Sequence, residues 1–84
     1  MLTEAELHKI IGEYAAQYGG EVDVHLEHFD KEKFTVRFSG RICRSCGLET
    51  YFDGLQYMLR LSGIHARVGP HKEDNGDILV TYYL

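Results

Sequence analysis

The chain has few cysteines, few prolines and few positive charges, and two of these shortages exclude whole classes of protein. Its 84 residues include two Cys, one Pro and no Trp. Two cysteines three residues apart cannot build the disulfide framework that staples small secreted domains. Nine Lys and Arg against 13 Asp and Glu give a formal net charge of -4, which offers no attraction to DNA or RNA. We therefore expect neither a disulfide-stapled secreted domain nor a nucleic-acid-binding protein.

Long apolar runs are also missing. No stretch approaches the roughly 18 apolar residues of a membrane-spanning helix. The opening Met1-Leu2-Thr3-Glu4 has neither the basic start nor the apolar core of a signal peptide. We expect no membrane association and a cytoplasmic location.

The apolar content is that of a folded domain. Hydrophobic residues make up 44% of the chain, and six Tyr and four Phe are among them. Low-complexity tracts, which are typical of disorder, are absent. A chain of this length has room for one core, so we expect residues 1–84 to form a single domain.

The first third of the chain changes from a helical to a strand pattern. Thr3 and Glu6 fit a capping box, which predicts a helix over residues 4–18 that ends at Gly19-Gly20. Residues on one face of this helix are apolar: Leu7, Ile10, Ile11, Tyr14, Ala15 and Tyr18. Alternating apolar residues then predict two strands, over residues 21–29 and 34–39, joined by a polar turn as a hairpin.

The second half repeats the order of one helix and two strands. Helical spacing predicts a helix over residues 47–62, and Gly54 within it suggests close packing against the sheet or the other helix. Strand patterns follow over 64–68 and 78–82. Gly69-Pro70 is expected to break the first of these strands, and Asn75-Gly76 to form a turn within a long connection.

The predicted order is therefore αββαββ. Its fold class is α+β, a two-layer sandwich in which two helices cover one face of a mixed four-stranded sheet. The crossover from the second strand through the second helix to the third strand should be right-handed.

Both cysteines lie in one Cys-x-x-Cys motif between the second strand and the second helix. Cys43 and Cys46 are close enough in sequence to bind one tetrahedral ion, and a helix N-terminus with Arg41 and Arg44 favours their thiolate forms. Two thiolates complete neither a zinc site nor an iron–sulfur site. A homodimer would supply four thiolates across a two-fold axis. The alternative is a third ligand from His65 or His71, although neither has ligand spacing to the pair.

The motif and its flanks resemble the C-terminal domain of NifU-like iron–sulfur scaffold proteins. The resemblance is carried by Gly19-Gly20-Glu21-Val22-Asp23-Val24, by Phe34-Thr35-Val36-Arg37-Phe38-Ser39-Gly40, and by the Cys43-x-x-Cys46 that precedes an amphipathic helix. It covers about residues 5 to 68. It implies a non-enzymatic protein that assembles or carries an iron–sulfur cluster on Cys43 and Cys46, shared between two subunits, and delivers it to apo-protein acceptors.

Two other functions fit parts of the sequence. In a thioredoxin-like enzyme, Cys43 would be the nucleophile and Cys46 the resolving thiol. In a zinc protein, both cysteines would bind the ion. In a small-ligand or partner-binding module the thiols would have no role. For that module, residues 47–84 have some likeness to vinyl-reductase-type ligand-binding domains, with pocket candidates Tyr51, Phe52, Tyr57, Tyr82 and Tyr83. Aromatic residues at such spacings more often belong to the core.

Overall fold

The computed structural model describes residues 3–18, 21–42 and 47–84. In these ranges two helices and four strands follow the order αββαββ. Their bounds are α1 Glu4–Ala16, β1 Val22–Phe29, β2 Lys33–Gly40, α2 Leu48–Leu61, β3 Arg67–Asp74 and β4 Asp77–Tyr83. The predicted α+β class is confirmed, and both helices end within two residues of their predicted last residues.

The sheet has the strand order β1-β2-β4-β3, and every neighbouring pair is antiparallel. The prediction of a mixed sheet was therefore wrong. β2 and β3 do run in the same direction, because each is antiparallel to β4, but β4 lies between them and pairs with both. The result is a wholly antiparallel sheet, as expected where strands are joined by hairpins.

Both helices pack on one face of this sheet, and the core lies between the two layers. Alternate residues of the central strands point into it, as the two-residue period of a strand requires. The buried hydrophobic residues form one cluster: Leu7, Ile10, Ile11, Tyr14, Val22, Val24, Phe34, Val36, Phe38, Phe52, Leu55, Leu59, Ala66, Ile78, Val80 and Tyr82. No helix in the described ranges is long and apolar enough to cross a membrane.

The other face of the sheet carries an ion-pair cluster centred on Arg37 of β2. Its guanidinium donates hydrogen bonds to Glu27, to Asp74 at 2.8 Å and to Asp77 at 2.9 Å. These bonds, the one to Glu27 first, raise the pKa of Arg37 above its ordinary value. The cluster joins β1, β2 and the β3–β4 turn, as expected for opposite charges on adjacent strands.

The third strand differs from its prediction. β3 runs from Arg67 to Asp74 and passes through Gly69 and Pro70 with a shift in its pairing to β4. A bulge at the edge of a sheet tolerates Pro, because its missing N–H faces no partner strand. Glycine is favoured at position 69, since a Cβ atom would lie 2.8 Å from the backbone carbonyl oxygen of Thr81.

The connection between β3 and β4 is a tight turn rather than the long one expected. Asn75 and Gly76 both have positive φ, at 50° and 87°. Two such residues form the type of turn whose twist matches that of a β-hairpin, and Asn-Gly is its preferred sequence. The prediction of a turn at these two residues is confirmed.

Gly54 in α2 packs directly against α1, as its place inside a helix had suggested. A Cβ atom at position 54 would lie 2.6 Å from Oη of Tyr14, whereas a Cβ atom at Gly12 of α1 would meet nothing within 4 Å. Each Gly→Ala change adds about 1 kcal/mol of helix propensity. At position 54 the overpacking cost of about 1–3 kcal/mol outweighs that gain, since the Tyr14 ring is buried.

We therefore expect opposite shifts in thermal unfolding midpoint from two matched variants. Gly12→Ala should raise the midpoint by roughly 4 °C, and Gly54→Ala should lower it by a similar amount. Circular dichroism melts of both variants check this. A rise in both midpoints would contradict the contact between Gly54 and Tyr14.

Asp30 stabilises the β1–β2 turn in its charged form. Its Oδ1 accepts hydrogen bonds from the backbone N–H groups of Glu32 at 2.8 Å and Lys33 at 3.0 Å. These bonds hold the pKa of Asp30 below its ordinary value. A depressed folded-state pKa adds stability above the unfolded-state pKa, and that stability is lost as the pH falls through the folded-state value.

Asp30→Asn should consequently be less stable than the wild type at neutral pH. The difference in unfolding free energy should narrow as the pH falls below the ordinary pKa of an aspartate, about 3.9. Urea unfolding at a series of pH values measures this gap. A gap of constant size would show that the charge of Asp30 is irrelevant and that only the geometry of the turn matters.

Candidate metal centre

The chain enters the Cys-x-x-Cys segment through Gly40, the last residue of β2. Gly40 has a φ of 90°, and a Cβ atom there would lie 2.6 Å from the carbonyl oxygen of Glu21. The next residue, Arg41, donates its backbone N–H to that same oxygen at 2.7 Å, and Ile42 N–H reaches the Gly40 carbonyl at 3.0 Å. We call Gly40, Arg41 and Ile42 the incoming stem; its path requires glycine at position 40.

The chain leaves the segment through Gly47, which precedes α2. Gly47 has a φ of 98° and, lacking a side chain, makes no side-chain cap. Its carbonyl accepts the N–H of Thr50 at 3.3 Å. We call Gly47 to Tyr51 the outgoing stem. The first turn of a helix carries N–H groups and a partial positive charge that favour anions, and the thiolate of a cysteine is one.

The residues predicted to bind the metal, Cys43 and Cys46, lie outside the described residues, and so does Arg44. The two stems are therefore the described part of the site. Four residues separate Ile42 from Gly47, and two of them are cysteines. Arg41 is exposed on the incoming stem and carries one of the two positive charges predicted to favour thiolates.

A cluster of aromatic residues lies beside the outgoing stem. The hydroxyl of Tyr14 in α1 donates to the carbonyl of Tyr51 at 2.6 Å and is 2.8 Å from the hydroxyl of Tyr18. The Tyr14 ring meets those of Tyr18 and Phe38 edge-on, with centroids 5.3 and 6.5 Å away. Burial, with the Tyr18 hydroxyl second, raises the pKa of Tyr14, so the phenol keeps the proton that it donates.

A second tyrosine holds the same part of α2 from the sheet side. Tyr82 of β4 donates its buried hydroxyl to the carbonyl of Phe52 at 2.8 Å. Burial raises its pKa as well. Consecutive carbonyls of α2, those of Tyr51 and Phe52, therefore each accept a hydrogen bond from a buried phenol, one from the helix layer and one from the sheet.

The structure separates the two histidines considered as a third ligand. His65 precedes β3, whose first residue is level with Lys33 at the start of β2, roughly 23 Å along the strand from Gly40. His71 instead packs its ring on Phe52, with centroids 5.1 Å apart, close to the first turns of α2. His71 is thus the better placed of the two. Within the described ranges no group of three or more His, Cys, Asp or Glu could hold a metal ion.

The aromatic residues considered as a ligand pocket do not share one. Phe52 and Tyr82 are buried in the core, whereas Tyr57 is 61% exposed on the outside of α2. Tyr83 covers Gly69 on the opposite face of the sheet. The expectation that most of these residues belong to the core is confirmed for three of the five, because Tyr51 packs against the core that contains Phe52 and Tyr82.

A shallow groove does lie on the face of the sheet that the helices leave open. Its volume is about 360 Å³, and Thr35, Pro70, His71, Lys72, Leu79 and Thr81 line it. In a thioredoxin-like enzyme a proline faces the dithiol, and Pro70 would be that residue here. Pro70 instead lines this groove with Thr35 and Thr81, several residues along the strands from Gly40.

Sequence reasoning missed the role of Tyr14 at this site, which it treated only as part of an apolar helix face. Gly54 was the available signal, because a glycine inside a helix indicates a close neighbour. The identity of that neighbour depends on how the two helices pack, which no local pattern specifies.

Comparison of the chain with protein-family models, with curated proteins and with solved structures found no match.

Proposed function

We propose that this protein is an iron–sulfur cluster scaffold or carrier that holds its cluster on Cys43 and Cys46. The observation that supports it best is the place of the Cys-x-x-Cys segment, between a strand end that requires glycine and a helix start with no side-chain cap. Thiolates are the ligands of iron–sulfur clusters, and a helix N-terminus lowers the free energy of a thiolate.

The number of cysteines favours a site shared by two copies of the chain. Four thiolates hold a [2Fe–2S] or [4Fe–4S] cluster, and one chain supplies two. A two-fold axis that brings two segments together provides the four. A cluster held between two chains by short loops is accessible to another protein, which is the property needed for delivery to apo-protein acceptors.

Zinc binding or dithiol redox chemistry is the second candidate. His71 beside Phe52 supports the zinc version, because it is the histidine nearer to α2's first turns. The redox version has less support, since the antiparallel sheet and the position of Pro70 both differ from a thioredoxin-like arrangement. The experiment below distinguishes these candidates.

Anaerobic incubation of the reduced protein with ferrous iron and sulfide should produce broad absorption near 400 nm (roughly, as for thiolate-bound clusters). Cys43→Ser and Cys46→Ser should each abolish it, because each removes half of the thiolates that a chain contributes. The matched control is Cys43→Ser with Ser62→Cys, which keeps two thiols per chain but places one at the far end of α2.

Colour in that control equal to the wild type would show adventitious iron binding and contradict the proposal. A colourless wild type that binds one zinc ion per chain supports the zinc candidate. A colourless wild type whose cysteines form a reversible disulfide supports the redox candidate instead.

A shared cluster also predicts a change of oligomeric state. The reconstituted protein should sediment as a dimer that carries one cluster per two chains, and chelation of the iron should shift it toward the monomer. Sedimentation velocity with iron and sulfide analysis of the same sample measures both quantities. A cluster-loaded monomer would contradict sharing while leaving Cys43 and Cys46 as ligands.

A further inference from the structure

Both stems of the Cys-x-x-Cys segment are held by one corner of the chain, formed by Tyr14, Tyr18 and Glu21 where α1 leads into β1. We propose that this corner positions Cys43 and Cys46 for metal binding, with the Tyr14 hydroxyl as its positioning group. This inference rests on the proposed function for the identity of the site. It adds residues that are remote in sequence from the cysteines.

The corner holds the incoming stem through the backbone of Glu21. The Glu21 carbonyl accepts the Arg41 N–H at 2.7 Å, and the Glu21 N–H donates to the carbonyl of Tyr18 at 3.1 Å. The end of α1 is therefore connected to the first residue after β2 by two consecutive backbone hydrogen bonds. Gly40 allows this approach, because any Cβ there would strike the Glu21 carbonyl.

The corner holds the outgoing stem through a side chain. A carbonyl can only accept, so Tyr14 must donate its proton to Tyr51, and Tyr18 must donate to Tyr14 in turn. The Tyr14 side chain is 2% exposed, and Gly54 leaves the space that its hydroxyl occupies. The phenol therefore has one position, and it fixes the first turns of α2 relative to α1.

Fixing both stems matters because the segment between them is short. Four residues connect Ile42 to Gly47, so the separation of the stems limits which conformations the cysteines can adopt. Two sulfurs bind one ion well only when both reach it within about 0.2 Å of the ideal distance. A corner that fixes the stems before the metal arrives reduces the ordering cost of binding.

The test measures cobalt(II) binding by the reduced full chain, using the thiolate-to-cobalt absorption. Tyr14→Phe removes one oxygen and keeps the ring. It should raise the cobalt dissociation constant about fivefold, because the first turns of α2 would then have to be ordered when the metal binds. Gly54→Ala disturbs the same contact from the α2 side and should weaken binding in the same direction.

The matched control is Gln56→Met, because the Gln56 side chain donates from α2 to the Ala66 carbonyl at 2.8 Å, away from the stems. It should destabilise the fold by a similar amount and leave the cobalt dissociation constant unchanged. Urea unfolding of each variant supplies the stabilities for this comparison. Amide hydrogen exchange of the metal-free protein should be faster at residues 50–55 in Tyr14→Phe and in Gly54→Ala, but not in Gln56→Met.

Wild-type cobalt affinity in Tyr14→Phe would overturn the positioning role, as would equal weakening by Gln56→Met, since stability alone would then explain the loss. If Tyr14→Phe does not fold, Gly54→Ala decides by the same criteria. The two proposals fail separately. If the protein forms a cluster but Tyr14→Phe leaves the cobalt affinity unchanged, only the positioning role is overturned. If Tyr14→Phe weakens cobalt binding but the wild type never forms a cluster, only the iron–sulfur assignment is overturned.

Discussion

The hydrogen bond from Tyr14 to the carbonyl of Tyr51 is the contact on which the arrangement of the helix layer depends. The two helices make few contacts with each other, and this bond joins them at the end where α2 begins. It requires a buried phenol in α1 and a glycine in α2 within reach of each other. A buried hydroxyl left without its acceptor costs about 1–3 kcal/mol, so the bond favours one placement of α2 over others that bury similar apolar area.

The strand order brings the remaining parts of the site to the same place. Val22, the first residue of β1, pairs with Gly40, the last residue of β2. The first hairpin therefore returns the chain to the corner from which it left, and α2 must start there. The second hairpin lies on the other side of β2, and because Phe38 pairs with Ile78, its tight Asn75-Gly76 turn lies at the same end of the sheet as Gly40. The antiparallel topology thus gathers the end of α1, the end of β2 and the start of α2 without any long loop.

Most of the elements could be predicted from local sequence, because each has its own signal. Capping at Thr3, a period of two in the strands and the Asn75-Gly76 turn all act within a few residues. The continuation of β3 through Gly69 and Pro70 could not be predicted in this way. An edge strand tolerates a bulge at Pro, and whether a strand lies at the edge is a property of the whole sheet.

The candidate site likewise has one part that local sequence predicts and another part that it does not. Its cysteines are a local motif and were identified from spacing, and Gly40 belongs to the segment that carries the family resemblance. The parts that hold the motif in place are not local, since Tyr14 and Tyr51 are 37 residues apart. Likewise Tyr82 reaches the neighbouring carbonyl of Phe52 from the last strand. Hydrogen bonds between such distant residues depend on how the helix layer packs on the sheet. Helical periodicity identifies Tyr14 as buried, but it does not identify the carbonyl to which the Tyr14 hydroxyl donates.

The proposed site, with two thiolates per chain, would suit a carrier better than a permanent metal centre. A structural metal site completes its ligand set within one fold, and its binding free energy then becomes folding free energy. The described part of this chain has an apolar core formed by side chains of both helices and of all four strands or their immediate flanks. In the proposed shared site, separation of two copies would expose half of the coordination sphere at once, and an acceptor's thiolates would then replace the departing pair. Stems that are fixed before the cluster binds would keep the ordering cost of each such exchange low.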